Sequence, residues 1–272
     1  MSRINKIAEQ AALANRKLLI PYLVAGDPNL ETTSTLMHKL VGQGADIIEL
    51  GIPFSDPSSD GPIIQRGVER ALAKGTTVKQ VLGLVAEFRK TDTDTGIVLM
   101  GYLNPIEIMG YKVFAEAVSA AGVDGVLTVD LPPMEADELN AMMRAVKVDT
   151  IFLVAPTTRE ERVASIIEHC SGYLYYVSLK GVTGAALTDF GSVTANINKL
   201  RERTQLPIVI GFGIKDAQSA AAMGKLADGV IIGSALVEKI ALLADQVEHE
   251  SALLSDTIRV ISEAREALDK LV

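Results

Sequence analysis

Glu49 interrupts an otherwise apolar run, Ile47-Ile48-Glu49-Leu50-Gly51-Ile52-Pro53. A carboxylate buried in such a run must find a partner or hold its proton to a higher pH. A carboxyl that titrates near neutrality can give and take protons during a reaction. A structural acid that caps a turn or pairs with a lysine reads the same way. Asp60 follows in Ser59-Asp60-Gly61-Pro62, which by itself is ordinary turn chemistry. Asp46 and Asp56 read as a strand-start acid and a loop acid.

A second constellation is rich in glycine. Gly211-Phe212-Gly213 closes one apolar run, and Gly233-Ser234 closes the next, ahead of a helical pattern. Thr183-Gly184 lies in a stretch, 181–191, rich in Gly, Thr and Ala, which reads as a mobile lid. Glycines let backbone N–H groups approach an oxyanion, and a helix N-terminus adds a favourable dipole. Tight turns alone would also account for them. Other chemistries find less support. His38, His169 and His249 fall in helical patterns without metal-ligand spacing, so no metal site is expected. There is no Gly-x-Ser-x-Gly elbow. Lys180 could form a Schiff base, but the favoured reading is a solvated loop-edge charge. Cys170 is assigned to packing.

These residues need a scaffold. Apolar, β-rich runs recur at Leu18–Gly26, Ala45–Pro53, Gly96–Asn104, Val123–Pro132, Thr150–Thr157, Tyr173–Lys180, Pro207–Ile214 and Gly229–Ala235. Their near-continuous hydrophobicity marks strands buried on both faces. Helical patterns alternate with them, from Leu30–Val41 to Asp216–Leu226. The alternation predicts βαβ units and a single (β/α)8 barrel, of α/β class, spanning residues 1–272. A doubly wound open sheet is the alternative, but the first turn, Val24-Ala25-Gly26-Asp27-Pro28, lacks its glycine fingerprint. The long step after the second strand has room for two helices, Ile63–Ala73 and Val78–Lys90. Ser2–Asn15 reads as an extra N-terminal helix that could plug the barrel bottom. Leu236–Leu271 should divide into a short extra helix after strand eight and a final one from about Ser251. In a barrel, the loops after strands seven and eight form the usual phosphate site.

Composition narrows the partners. Acids outnumber bases by 34 to 26 with no basic run, which argues against nucleic acid. No apolar run approaches the length of a membrane span. One cysteine cannot form an internal disulfide, and the expectation is a cytoplasmic protein. A single small phosphate remains compatible with the net charge of −8, because neutral amides can hold it.

The run Glu49-Leu50-Gly51-Ile52-Pro53-Phe54-Ser55-Asp56-Pro57, then Ser59-Asp60-Gly61-Pro62, resembles the signature of the tryptophan synthase alpha chain family. Pro21-Tyr22, Ala25-Gly26-Asp27-Pro28, Tyr102, Asn104-Pro105, Gly122-Val123-Asp124-Gly125, Gly181-Val182-Thr183-Gly184, Gly211-Phe212-Gly213-Ile214 and Gly233-Ser234 extend the likeness in order along nearly the whole chain. The resemblance implies cleavage of indole-3-glycerol phosphate to indole and glyceraldehyde 3-phosphate. Indole would pass to a tryptophan synthase beta chain in an alpha2-beta2 assembly. Pyridoxal phosphate would belong to that beta chain, with no cofactor in this one.

By the same resemblance the catalytic carboxylates fall on Glu49 and Asp60, with Glu49 as proton shuttle and Asp60 ionised in a wetter loop. Phosphate binding falls on Gly184, Gly213, Gly233 and Ser234, a pocket tyrosine on Tyr175, and the lid threonine that meets the loop aspartate on Thr183. Tyr22, Tyr102, Leu127 and Phe212 complete the substrate pocket. The partner surface would involve Asp56, Asn104, Pro105 and the lid. Ser178-Leu179-Lys180 stands where some members carry Ser-Arg-Ala, so a lid arginine is absent. Another phosphate-binding barrel enzyme, such as a sugar-phosphate isomerase or epimerase, and a non-catalytic activator of a beta chain are the alternatives. Metal-dependent epimerases need strand-end histidines, which this chain lacks.

Overall fold

A computed structural model describes residues 2–178, 190–211, 213–244 and 250–271, with only the backbone described for 250–253. Strands β1 (Leu18–Val24), β2 (Ile47–Gly51), β3 (Gly96–Gly101), β4 (Gly125–Thr128), β5 (Asp149–Val154), β6 (Leu174–Val177), β7 (Ile208–Gly211) and β8 (Gly229–Ile232) are parallel and close in chain order. β8 pairs back onto β1, which completes the barrel. The helices are α1 (Arg3–Leu13), α2 (Leu30–Gly42), α3 (Pro62–Ala73), α4 (Val78–Phe88), α5 (Leu103–Met109), α6 (Tyr111–Ala121), α7 (Asp137–Ala145), α8 (Glu160–His169), α9 (Phe190–Arg201), α10 (Ala217–Gly224), α11 (Ser234–Ala244) and α12 (Glu250–Asp269). Among the described residues, none of them is long and apolar enough to cross a membrane.

All eight expected strands are present, seven within their expected runs and the fifth starting one residue earlier, at Asp149. The third ends sooner than its hydrophobicity suggested. The chain turns at Tyr102, and Leu103 to Met109 form α5, a helix the continuous apolar run concealed. A single 3-10 turn over Pro133–Glu135 precedes α7, which begins at Asp137. Phe190 and Gly191, expected in the lid, open α9. Thr183, Gly184, Lys180, Phe212 and His249 lie outside the described residues.

Alternation along the strands sorts the core into two clusters. Leu18, Ile20, Tyr22 and Val24 of β1 point into the barrel, with Ile47, Val98, Leu127, Ile151, Tyr175, Val209 and Ile231. Leu19, Leu23, Ile48, Leu50, Leu99, Leu174, Ile210 and Ile232 face outward and pack beneath the helices. The floor is closed by α1, as expected. Ile4 is fully buried, and a side chain at Gly125 would meet its Cδ1 at 2.9 Å. Arg3 pairs with Asp124 beside it.

The residues ahead of the even strands pin the odd ones. Asp46 accepts from the Leu19 N–H at 2.9 Å, Asp124 from Ile97 at 2.8 Å, and Asp228 from Ile208 at 2.9 Å. The Ser171 hydroxyl takes the same place for Thr150 at 2.9 Å. Each of these bonds satisfies a strand-start donor that the ladder leaves over. The bottom of the barrel is therefore a rigid base, and the C-terminal ends of the strands are left to carry a site.

Candidate active site

Glu49 occupies the third position of β2. Alternation that turns Ile48 and Leu50 outward drives it into the barrel, in register with Tyr22 on one side and Val98 on the other. It is completely buried. Tyr173, just ahead of β6 on the far side, donates its hydroxyl to Oε1. Among the described residues, Oε2 has no hydrogen-bond partner. Burial pushes the carboxyl up to about 7, and the Tyr173 bond only partly offsets it. A carboxyl buried in the barrel with one oxygen held is poised to exchange protons near neutrality. Tyr173 was not singled out in the sequence. The signal was there in its spacing from Tyr175, since residues two apart share a strand face.

Asp60 heads the second contributor, the 54–61 loop. Gly61 caps α3, Pro62 fills its first turn, and the Gln65 side-chain amide donates to the Asp60 carbonyl at 2.8 Å. Tyr102 reaches over from the end of β3 and donates to Asp60 Oδ2 at 3.0 Å. The Ser59 N–H donates to the same hydroxyl at 3.0 Å, and Phe54 stacks on the Tyr102 ring at 5.2 Å. The sequence assigns Tyr102 to the substrate pocket; its hydroxyl also braces the acidic loop. The loop is also drier than expected. Asp60 is only partly exposed, and burial raises its carboxyl above the usual range while the Tyr102 bond lowers it. The two acids still differ, because Glu49 is wholly enclosed and Asp60 is not.

Tyr22 and Tyr175 complete the ring of polar groups. Burial lifts both phenols well above the ordinary value, and the negative charge of Asp60 and Glu49 lifts them further. Both therefore stay neutral. Each hydroxyl has a glycine beneath it. A Cβ at Gly51 would fall 2.2 Å from the Tyr22 oxygen, and one at Gly211 would fall 2.0 Å from the Tyr175 oxygen. Leu127 is buried in the same interior cluster.

The glycines expected at the ends of β7 and β8 lie at the same end of the barrel. Gly213 adopts φ +75°, a conformation that favours glycine. The Gly233 carbonyl accepts from the Val237 N–H at 3.0 Å, which makes it the cap of α11, with Ser234 opening the helix. The first N–H groups of that helix have no intrahelical acceptor, and they carry the positive end of its dipole. A Cβ at Gly233 would sit 3.6 Å from Tyr22 Cβ, so this helix start adjoins the acid-bearing interior.

A closed parallel barrel with one enclosed carboxyl, a second on the loop above it and a bare helix start alongside has the layout of a barrel enzyme that works by acid–base chemistry. The sequence model of the tryptophan synthase alpha chain family matches residues 8–266. The chain belongs to that family, whose members are enzyme subunits of tryptophan biosynthesis. It is 54% identical over 271 residues to the tryptophan synthase alpha chain of Marinobacter nauticus, covering 100% of this chain and 99% of the relative. It is 52% identical to that of Thioalkalivibrio sulfidiphilus, over 99% of this chain and all of the relative. Among solved structures, the alpha subunit of Legionella pneumophila str. Paris superposes with a TM-score of 0.89 at 44% identity, covering 99% of each chain. Mycobacterium tuberculosis tryptophan synthase gives 0.88 at 34% identity, covering 98% of each.

Proposed function

We propose that this chain, acting as one barrel domain over residues 1–272, cleaves indole-3-glycerol phosphate to indole and glyceraldehyde 3-phosphate in a retro-aldol step. Indole carbon 3 must take a proton before its bond to the glyceryl carbon breaks. The glyceryl hydroxyl must lose one as it becomes the aldehyde, and the electron pair of the broken bond returns to the ring. One proton enters and one leaves, so a single carboxyl can supply the first and receive the second. The observation that carries this reading is the carboxyl of Glu49, enclosed, held on one oxygen and poised at about 7. Asp60 accepts the indole N–H and stabilises the positive charge that develops on the ring. Tyr22, Tyr102, Leu127, Tyr175 and Phe212 line the indole pocket. Gly184, Gly213, Gly233 and Ser234 hold the phosphate through backbone amides, and Thr183 meets the Asp60 loop when the lid closes.

The partner is a tryptophan synthase beta chain in an alpha2-beta2 assembly, and pyridoxal phosphate stays with that chain. The rim after β3 and β4 supports the reading. Ile108 is 80% exposed and Met134 86%, unusual for such side chains, and the Asp130 carboxylate ties the two loops by accepting from the Leu103 N–H at 2.8 Å. Exposed Asn104, in α5, and exposed Asp56, on the 54–61 loop, lie at the same barrel end. A single cysteine, which can form no internal disulfide, fits a cytoplasmic protein. The test supplies indole-3-glycerol phosphate and follows indole release. Glu49→Gln should abolish release while leaving glycerol-phosphate binding nearly intact. Retention of most of the activity would remove Glu49 from the role.

A further inference from the structure

Asp27 is an acid that the reaction above does not use. Its side chain is fully buried just beyond β1, and Arg70 grips it with both ends of the guanidinium, Nε to Oδ1 at 2.7 Å and Nη2 to Oδ2 at 2.8 Å. A bidentate pair fixes orientation as well as distance. The surroundings leave it no slack. A Cβ at Gly67 would stand 2.9 Å from Asp27 Oδ2, 3.0 Å from Val237 of α11 and 3.2 Å from Val24 of β1. A Cβ at Gly26 would strike the Thr76 hydroxyl at 2.1 Å. The far half of α3 is thus clasped between the loop after β1 and the helix that starts at Ser234.

The near half of α3 grows directly out of Asp60 and Gly61. Ten residues of helix place Arg70 roughly 15 Å from Asp60, too far to touch the same small substrate. At that length a tilt of about 4° moves the Asp60 end by about 1 Å, and an error of that size can cost a reaction about 100-fold. We propose that the Asp27–Arg70 pair is a positioning latch that sets where Asp60 stands over the barrel mouth, through the rigid body of α3. The latch rests on the assignment of Asp60 to the indole N–H. Asp27 and Arg70 are positioning residues and meet no substrate themselves.

Double variants on the full chain separate this from a role in stability alone. Arg70→Gln should lower kcat for indole release about 100-fold, with glycerol-phosphate affinity changed by less than roughly twofold. Arg70→Lys keeps one charge and loses the fork, so it should fall between Arg70→Gln and the parent chain; it carries the test if Arg70→Gln does not fold. In an Asp60→Asn background, with single-turnover rates measured on excess enzyme, Arg70→Gln should add no further loss, because the two changes act through one group. A further 100-fold loss there would overturn the latch. So would an unchanged kcat in Arg70→Gln when Asp60→Asn is inactive. If Asp60→Asn itself keeps the full rate, the assignment of Asp60 fails, and the latch falls with it.

Discussion

Replacing Glu49 by glutamine keeps the shape of the side chain and an acceptor for the Tyr173 hydroxyl, and removes only the ability to ionise. In the folded protein the carboxyl titrates at about 7, against an ordinary 4.5. A carboxyl raised on folding favours the folded state fully below its unfolded pKa, and that advantage is lost as the pH climbs to the folded pKa and beyond. Above pH 7 the parent chain must either hold an enclosed charge or keep a proton that the unfolded chain has already released. The gap corresponds to about 3 kcal/mol, at 1.36 kcal/mol per pH unit. Glu49→Gln should therefore be inactive yet more stable than the parent by about 3 kcal/mol at pH 8. The difference should shrink through pH 6 and vanish near pH 4, where both side chains are neutral. Urea unfolding at a series of pH values measures it, because every other titrating group cancels in the difference between the two proteins. A difference that stays constant across the series, or a variant less stable at pH 8, would refute the claim that the barrel interior holds this acid out of water. A gain in stability on losing the reactive group is what a site strained for function predicts.

Tyr173→Phe removes a bond that favours the charged form of Glu49, so its carboxyl should titrate about 1 to 2 pH units higher. The basic limb of the rate profile should move up with it. Tyr102→Phe takes away a bond that lowers the Asp60 carboxyl and leaves the Ser59 N–H without its acceptor. It should raise the pKa of Asp60 and lower kcat more than it changes stability, which paired rate and unfolding measurements check. Gly211→Ala drives a methyl into the Tyr175 hydroxyl. It should cost about 1–3 kcal/mol by overpacking and weaken substrate binding, read from chemical unfolding and KM. Asp124→Ala, far from the site, strips the Ile97 N–H of its acceptor and takes an ion-pair partner from both Arg3 and Arg89. Its unfolding free energy should fall by about 3 kcal/mol while kcat in the folded fraction holds.

Fold class was legible because parallel strands buried on both faces read as unbroken apolar runs, and eight of them alternating with helical patterns leave few alternatives to a closed barrel. Glu49 was legible for the same reason, since a charge inside such a run violates the pattern that surrounds it. So were the bare glycines at the ends of β7 and β8, where a side chain is missing at two matching positions. Helix α5 was hidden because Leu103 and Ile106 continue the apolar run of β3, and hydrophobicity alone does not show where a buried strand becomes a buried helix. Which group pairs with which acid was not legible. Tyr173 meets Glu49 across 124 residues, Tyr102 meets Asp60 across 42, and Arg70 meets Asp27 across 43. Local pattern records which face a side chain takes and whether water can reach it. Which group stands on the opposite wall depends on closure of the barrel, and closure sets the proton affinity of Glu49. The chain alone therefore determined that an acid would be buried at position 49. Only the tertiary structure decided that one of its oxygens would be held by Tyr173 and that Asp60 would be braced above it.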